Sequence, residues 1–320
     1  MTKKITNDIL NAIRGANSIL VCGHIRPDGD CVGSALAVWR LCKNLGKKVD
    51  AITGDGEKPA MFDALPDYDG FCKLNSDKYD LFIAVDCATV ARLGDYGRFL
   101  TAAKNSIDID HHHTNCGYGK INYIDGGASS TCAILFEIFE ETGLIDKTVA
   151  TYLYTGLSTD TGHFMHSNTD GKVFEIAHKL CGYGINIGDI NHDIYSNKTL
   201  NKLKLTSRAI DSIRLHENGQ IALMIITQDD LKSCECKSED TEGLIDYASS
   251  IGGVKIAISM CEQPGSVYRV SWRSHSVNVA VAAERFGGGG HKLAAGCILN
   301  GNRYDVADKL IAAGKAVLPR

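Results

Sequence analysis

The chain is poor in proline, with five in 320 residues, and it has neither an internal repeat nor a low-complexity stretch. A largely disordered chain is therefore excluded, and the 33 glycines point to short loops with special backbone turns. No apolar run approaches the roughly 20 residues a membrane helix needs. The opening "MTKKITNDIL" lacks the apolar core and small-residue cleavage site of a secretory signal. A cytoplasmic protein that does not engage the membrane is expected. Net positive charge is also missing. The formal balance of −4 argues against a broad, sequence-blind nucleic-acid surface, though it allows a local basic pocket.

The twelve cysteines show no paired CxxC spacing. Most, such as Cys22, Cys31, Cys42, Cys72, Cys87 and Cys132, lie in apolar runs, where a free thiol behaves as a small hydrophobe. Cys234 and Cys236 in "SCECKSED" read as an exposed loop rather than a zinc site. A reducing compartment fits this pattern.

What is present is ordinary for a globular protein: 44% hydrophobic and 22% charged residues, with length for about two domains. Residues 5–16 carry helical spacing. "SILVCGH" is a short buried strand, "CVGSALAVWRLCKNLGKKV" a helix closed by Gly46, and "KKVDAIT" a second strand. "YDLFIAVDCAT" is a strand ending at Asp86. A helix near 95–104 then leads to the strand "NSIDIDHHH". Strands alternating with helices predict a parallel sheet with helices on both faces. Beyond it, "ASSTCAILFEIFEETG" and "DKTVATYLYTGLSTDTGHF" read as helices, the second ending in Asp160. A polar linker helix over 191–208 divides domains at 1–190 and 209–320. The second domain is expected to be a smaller mixed α/β unit across a cleft.

Working groups in such sheets sit beyond the carboxyl ends of the strands. His24, Asp86 and the run Asp110-His111-His112 fall there, each at the end of its own strand. "GHIRPDGDCVGS" adds Asp28 and Asp30 on one strand-to-helix loop, and Asp160 joins from a helix end. An isolated Asp-x-Asp is usually a turn or a cap. Four elements converging on one sheet end are not explained that way. The donor set is carboxylate and imidazole without thiolate, which suits Mn²⁺, Mg²⁺, Fe²⁺ or Co²⁺. So many donors exceed one ion's needs, whereas two ions about 3.5–4 Å apart could share them. Four Asp ligands would roughly balance two divalent charges. An anionic substrate would then need separate cations, and "VSWRSHSVNVAVAAERFGGGGHKLAAG" supplies Arg273, His275, Arg285, His291 and Lys292 around four glycines. That segment reads as a glycine-rich turn whose backbone N–H groups can approach a phosphate.

"HIRPDGDCVGS", "AVDCAT", "IDHHHTN" and "GLSTDTGHF" resemble, in order, the four metal motifs of the DHH phosphoesterases. "SWRSHSVNVAVAAERFGGGGHKLAAG" resembles the glycine-histidine signature of the domain that accompanies one branch of them. The likeness runs over nearly the whole chain. It is greatest to the two-domain group that pairs oligoribonuclease with 3′-phosphoadenosine 5′-phosphate phosphatase activity. It implies two divalent ions, Mn²⁺ before Mg²⁺ or Co²⁺, with short RNA and nucleotides as substrates, and it is compatible with a homodimer. By resemblance His24 and Asp28 hold the first metal, Asp30, His111 and Asp160 the second, and Asp86 bridges both. His112 contacts the scissile phosphate, and Asp110 orients the histidine pair. Arg92, Arg273, Ser274, Gly288, Gly289 and His291 bind the substrate. His113, His163 and His166 carry no assigned role.

Competing readings each lack a feature. A RecJ-like single-strand exonuclease needs a longer chain with an extra strand-binding module. A pyrophosphatase should lack the glycine-histidine segment, and a membrane-sensor cyclic-dinucleotide phosphodiesterase needs transmembrane and sensory regions. A soluble dinucleotide phosphodiesterase remains an alternative. A silent nucleotide-binding module would be expected to have lost a metal ligand, and none is lost.

Overall fold

The computed structural model describes residues 2–319, and the chain divides into two compact units, Met1–Asn197 and Lys198–Arg320. The first unit opens with helix α1 (Thr2–Gly15), followed by β1 (Ser18–Cys22), α2 (Gly29–Asn44) and β2 (Lys48–Ile52). Strand β3 (Leu81–Val85) leads through 3₁₀ turns into a short α3 (Arg98–Ala102), then β4 (Asn105–Asp110) and β5 (Ile121–Ile124). Helices α4 (Thr131–Phe139), α5 (Lys147–Asp160), α6 (Gly171–Cys181) and α7 (Ile187–Asn191) complete it.

All five strands pair in parallel in the order β2-β1-β3-β4-β5. Successive strand side chains point to opposite faces. Ile19, Val21, Ile83 and Val85 accordingly join the core built with α1, α2, α4 and α5, while Leu20, Cys22, Phe82 and Ala84 pack with Leu93, Phe99 and Ala103 on the other face. Each fully buried Ile or Leu contributes about 1.5–3 kcal/mol. Strand β5 was not evident in the sequence. It is a four-residue edge strand with only one buried position, reached from β4 by a loop without a helix.

Helices α2 and α5 approach closely because of two glycines. A Cβ on Gly33 would lie 2.5 Å from the Tyr152 carbonyl oxygen, and one on Gly156 would lie 2.7 Å from Asp30 Oδ1. The contact brings the start of α2, with Asp28 and Asp30, up to the end of α5, with Asp160.

The second unit starts with α8 (Leu200–Asp211), whose Leu205 and Ala209 are buried in its core. The segment expected as one linker helix is therefore divided: α7 stays with the first unit and α8 belongs to the second. A mixed sheet follows, from β6 (Arg214–His216), β7 (Ile221–Ile226), β8 (Ile256–Gln263), β9 (Val267–Ser274), β10 (Gly289–His291) and β11 (Ala294–Asn300), ordered β10-β11-β9-β8-β7-β6. Its helices are α9 (Gln228–Ser233), α10 (Ile245–Ser249), α11 (Ala280–Glu284) and α12 (Arg303–Val317). Cys234 does not sit in an exposed loop. It caps α9 and is buried in the core beside Leu231, and Cys236 is half-buried.

Candidate metal centre and a cationic sheet face

Strands β1, β3 and β4 are neighbours, so the residues just past their ends meet. His24 Nε2 lies 3.5 Å from Asp86 Oδ2 and 3.8 Å from Asp28 Oδ1. His111 Nε2 lies 3.5 Å from Asp86 Oδ1, 3.8 Å from Asp160 Oδ2 and 4.0 Å from Asp30 Oδ2. The six residues named from the sequence as metal ligands thus come together. They form two groups that share Asp86, whose two oxygens face different histidines.

The local chain explains the placement. Asp28 is the N-cap of α2, and its Oδ1 accepts from the Asp30 and Cys31 amides at 3.1 Å. Asp30 is buried and accepts from the first amides of α4, Thr131 N at 2.6 Å and Cys132 N at 2.9 Å. Thr131 Oγ1 donates to Asp86 Oδ1 at 3.1 Å. Asp86 itself adopts φ 52, a left-handed conformation that costs energy for a residue with a Cβ and clusters at functional sites. Sequence reasoning missed the Thr131 anchor. Its trace is Ser130, which caps α4 just ahead of an apolar run.

His24 Nδ1 lies 2.7 Å from Ile25 O, while Nε2 faces the Asp86 and Asp28 carboxylates. Arg92 is half-buried, and its Nη2 lies 2.9 Å from His24 Nδ1, so this side chain reaches the centre rather than lying on a helix surface. His112 Nδ1 donates to Asp110 Oδ1 at 2.7 Å, and the His111 amide donates to the same oxygen at 2.9 Å. Asp110 Oδ2 accepts from Asn115 Nδ2 at 2.8 Å. Asn115 also escaped the sequence reading. Its amide also lies 3.1 Å from Asp108 Oδ2 and 3.3 Å from Cys87 O, tying together the ends of β3 and β4. His113 is exposed over Gly126, His163 packs on Tyr195 and His166 rests on Gly162.

Electrostatics show that the centre suits cations. Burial, then repulsion from Asp86 and Asp160, raises the Asp30 carboxyl well above its usual range. Burial likewise lifts Asp160 to about 7 against the pull of His111, with Asp28 and Asp86 adding to the rise. Burial opposes a charge on His111, but Asp86, Asp160 and Asp30 outweigh it and raise the ring to about 9. Burial would also favour neutral Asp86, yet the His24 hydrogen bond and the charges of His24, His111 and His112 hold it well below the carboxylate range. Carboxylates buried side by side in this way are stabilised by a compensating positive charge. Carboxylate and imidazole donors fit divalent cations.

One sign follows for pH. Ligands must lose their protons to bind, so cation affinity should rise as pH increases through 7, where Asp160 ionises, and binding should release protons. Calorimetric Mn²⁺ titrations in buffers of different ionisation heat measure that release, and a pH-independent affinity would contradict it.

The donor set is not free of sulfur. Cys31, expected to act as a small hydrophobe, places Sγ with His24 and Asp86 donor atoms, all within 4.8 Å of one another.

In the second unit, sheet register aligns the expected substrate residues. Arg273 on β9 pairs with Ala294 on β11, and Ala294 pairs with His291 on β10, so all three share one face. The next row on that face is Gly289, Gly296 and Ser271. Arg273 and His291 therefore stand about 10 Å apart, two strand spacings, over a floor of small residues. The glycine run expected as a turn is a turn only at its start, Gly287, and continues into a strand. Gly289 and Gly290 are in β10, and a Cβ on Gly288 would lie 2.1 Å from the Gly296 carbonyl oxygen. Ser274 offers no donor to a ligand. Its hydroxyl donates to Lys255 O at 2.6 Å and accepts from the Ser276 and Val277 amides, shaping the turn instead.

Both units are similar to known protein families. Residues 18–157 match the DHH family N-terminal domain, and residues 218–318 match the DHHA1 domain. The chain is 30% identical over 311 residues to the probable bifunctional oligoribonuclease and PAP phosphatase NrnA of Streptococcus mutans, covering 94% of each chain. It is 27% identical over 326 residues to the bifunctional oligoribonuclease and PAP phosphatase NrnA of Thermus thermophilus, covering 99% of this chain and 94% of that one. Its fold matches an exopolyphosphatase-related protein from Bacteroides fragilis with a TM-score of 0.91, at 23% identity, covering 98% and 96% of the two chains.

Proposed function

The chain belongs to the DHH family, and on that premise we propose that it is a metal-dependent phosphoesterase acting on short oligoribonucleotides and 3′-phosphoadenosine 5′-phosphate, giving mononucleotides and AMP. The observation that carries the reading is the double-facing carboxylate of Asp86, with Oδ2 toward His24 and Oδ1 toward His111. A carboxylate that bridges two cations needs that arrangement. In this reading His24 and Asp28 would hold one cation, Asp30, His111 and Asp160 would hold the other, and Asp86 would contribute to both. Two divalent cations bound there, Mn²⁺ before Mg²⁺ or Co²⁺, would polarise a phosphoryl oxygen and lower the pKa of an attacking water.

The chain's own residues do the rest. Asp110 holds His112 in one tautomer and orientation, so the ring meets the scissile phosphate and offsets charge developing there. Water oxygen bonds to phosphorus and gives up a proton, the bond from phosphorus to the leaving oxygen breaks, and the leaving oxygen takes up a proton in exchange. Arg92 adds positive charge beside His24. Arg273 and His291 bind another anionic part of the substrate, with Gly288 and Gly289 leaving room for it.

The deciding experiment is a product time course on a 5′-labelled RNA trimer, a much longer RNA, 3′-phosphoadenosine 5′-phosphate and a cyclic dinucleotide. The trimer and the bisphosphate should be consumed faster than the long RNA. A clear preference for the cyclic dinucleotide would replace this reading with the dinucleotide phosphodiesterase one.

Arg273→Ala and His291→Ala should mainly raise KM, about tenfold for a lost exposed ionic contact, because they bind ground and transition states alike. Steady-state kinetics on an RNA dimer will show the split. A loss confined to kcat would assign these residues to the chemical step.

A further inference from the structure

We propose that Cys31 is a ligand of the cation held by His24 and Asp86, so this half of the centre is a mixed nitrogen–sulfur–oxygen site. The inference rests on the two-cation reading above. His24, Cys31 and Asp86 are all buried, and their nitrogen, sulfur and oxygen donors lie within 4.8 Å of one another. Cys31 follows Asp30 in the first turn of α2, at the point where the helix meets the end of β1.

The sulfur is held in place by backbone geometry. The His24 amide donates to Sγ at 3.2 Å, and Sγ lies 3.9 Å from the His24 carbonyl. Gly23 makes the space, since a Cβ there would stand 2.3 Å from the sulfur. The other thiols nearby also approach carbonyls, but among the described residues only the Cys31 sulfur is grouped with the His24 and Asp86 donors. Cys132 Sγ approaches Asp30 O at 3.8 Å and Tyr152 O at 3.9 Å, Cys87 Sγ approaches Thr89 O at 3.3 Å, and Cys22 Sγ approaches Gly23 O at 3.4 Å.

A thiolate changes which ions the position prefers. Sulfur donors select softer cations such as Zn²⁺, whereas carboxylate-rich sets suit Mn²⁺ and Mg²⁺. Asp30, His111 and Asp160 form the harder set. The two positions therefore differ, the Cys31 side taking thiophilic ions first.

Cobalt(II) titration of the chelator-treated full chain tests this, with bound metal counted by equilibrium dialysis and absorption read in the near ultraviolet. The first equivalent should produce a thiolate-to-cobalt charge-transfer band. Cys31→Ser and Cys31→Ala should both lose it, and Cys132→Ser should keep it. Cd²⁺ affinity should fall in both Cys31 variants by at least the roughly 10- to 100-fold that loss of an outer-sphere partner costs. Thermal unfolding in chelator identifies a variant that fails to fold, and the other variant then decides. Cobalt bound without the band, or a band that survives in a folded Cys31 variant, overturns the thiolate ligand and leaves the two-cation reading standing. No cobalt binding by the unaltered chain overturns both.

Discussion

Protein stripped of divalent cations should lose its hydrolysis of short RNA by about 10³-fold or more, and Mn²⁺ should restore more activity than Ca²⁺. The reason lies in the donors. Asp30 and Asp86 are buried, and burial together with the neighbouring carboxylates pushes the Asp30 and Asp160 carboxyls up. A phosphate brought to that cluster without cations would meet no Lewis acid. Ca²⁺ favours six to eight oxygens at about 2.3–2.6 Å in loose geometry. The His24 and His111 imidazoles, fixed by strand ends, offer nitrogens, which suit Mn²⁺ better. Initial rates after chelation, with residual metal measured on the same sample, check both parts. Full activity with the cations demonstrably gone would remove the metal mechanism altogether.

Much of this centre was legible in the sequence because parallel sheets place chemistry at strand ends. The apolar runs before His24, Asp86 and Asp110 marked those ends, and Asp28, a residue type that favours helix starts, marked the beginning of α2. What stayed hidden depends on tertiary contact. Asp30 is anchored by Thr131 and Cys132, about a hundred residues away in sequence, through the first turn of a helix whose start was visible but whose docking was not. Asn115 looks like a loop residue until its amide is seen between two carboxylates. Cys31 reads as filler inside an apolar helix, and only the approach of β1 shows the sulfur beside His24.

In the second unit, composition gave the cations but not their arrangement. Four glycines in a row suggest a turn, because nothing in the run itself reports the partner strand. Pairing with β11 makes Gly289 and Gly290 part of the sheet edge, and that pairing aligns His291 with Arg273. Ser274 shows the converse case. A hydroxyl beside an arginine suggests ligand binding, yet the strand end needs it to fasten the following turn.

Asp86→Asn should reduce turnover on short RNA by about 10³-fold, beyond the roughly 10- to 100-fold expected for an outer-sphere residue. The substitution is clean in structural terms. Asn tolerates the left-handed backbone at this position, and its side-chain oxygen can still accept from Thr131 Oγ1. What it removes is one negative charge and one of the two anionic oxygens facing His24 and His111. Asp28, Asp30 and Asp160 would then be left to balance two divalent cations. Metal counting should show weaker binding at both positions, not at one. Arg92→Ala, which removes a cation behind His24 without touching a shared ligand, should cost less. Single-turnover rates at saturating Mn²⁺ for both variants make the comparison. If Asp86→Asn keeps near-wild-type turnover once metal is saturating, Asp86 does not bridge the cations, and the carboxylate shared between the two histidines serves only to hold the strand ends together.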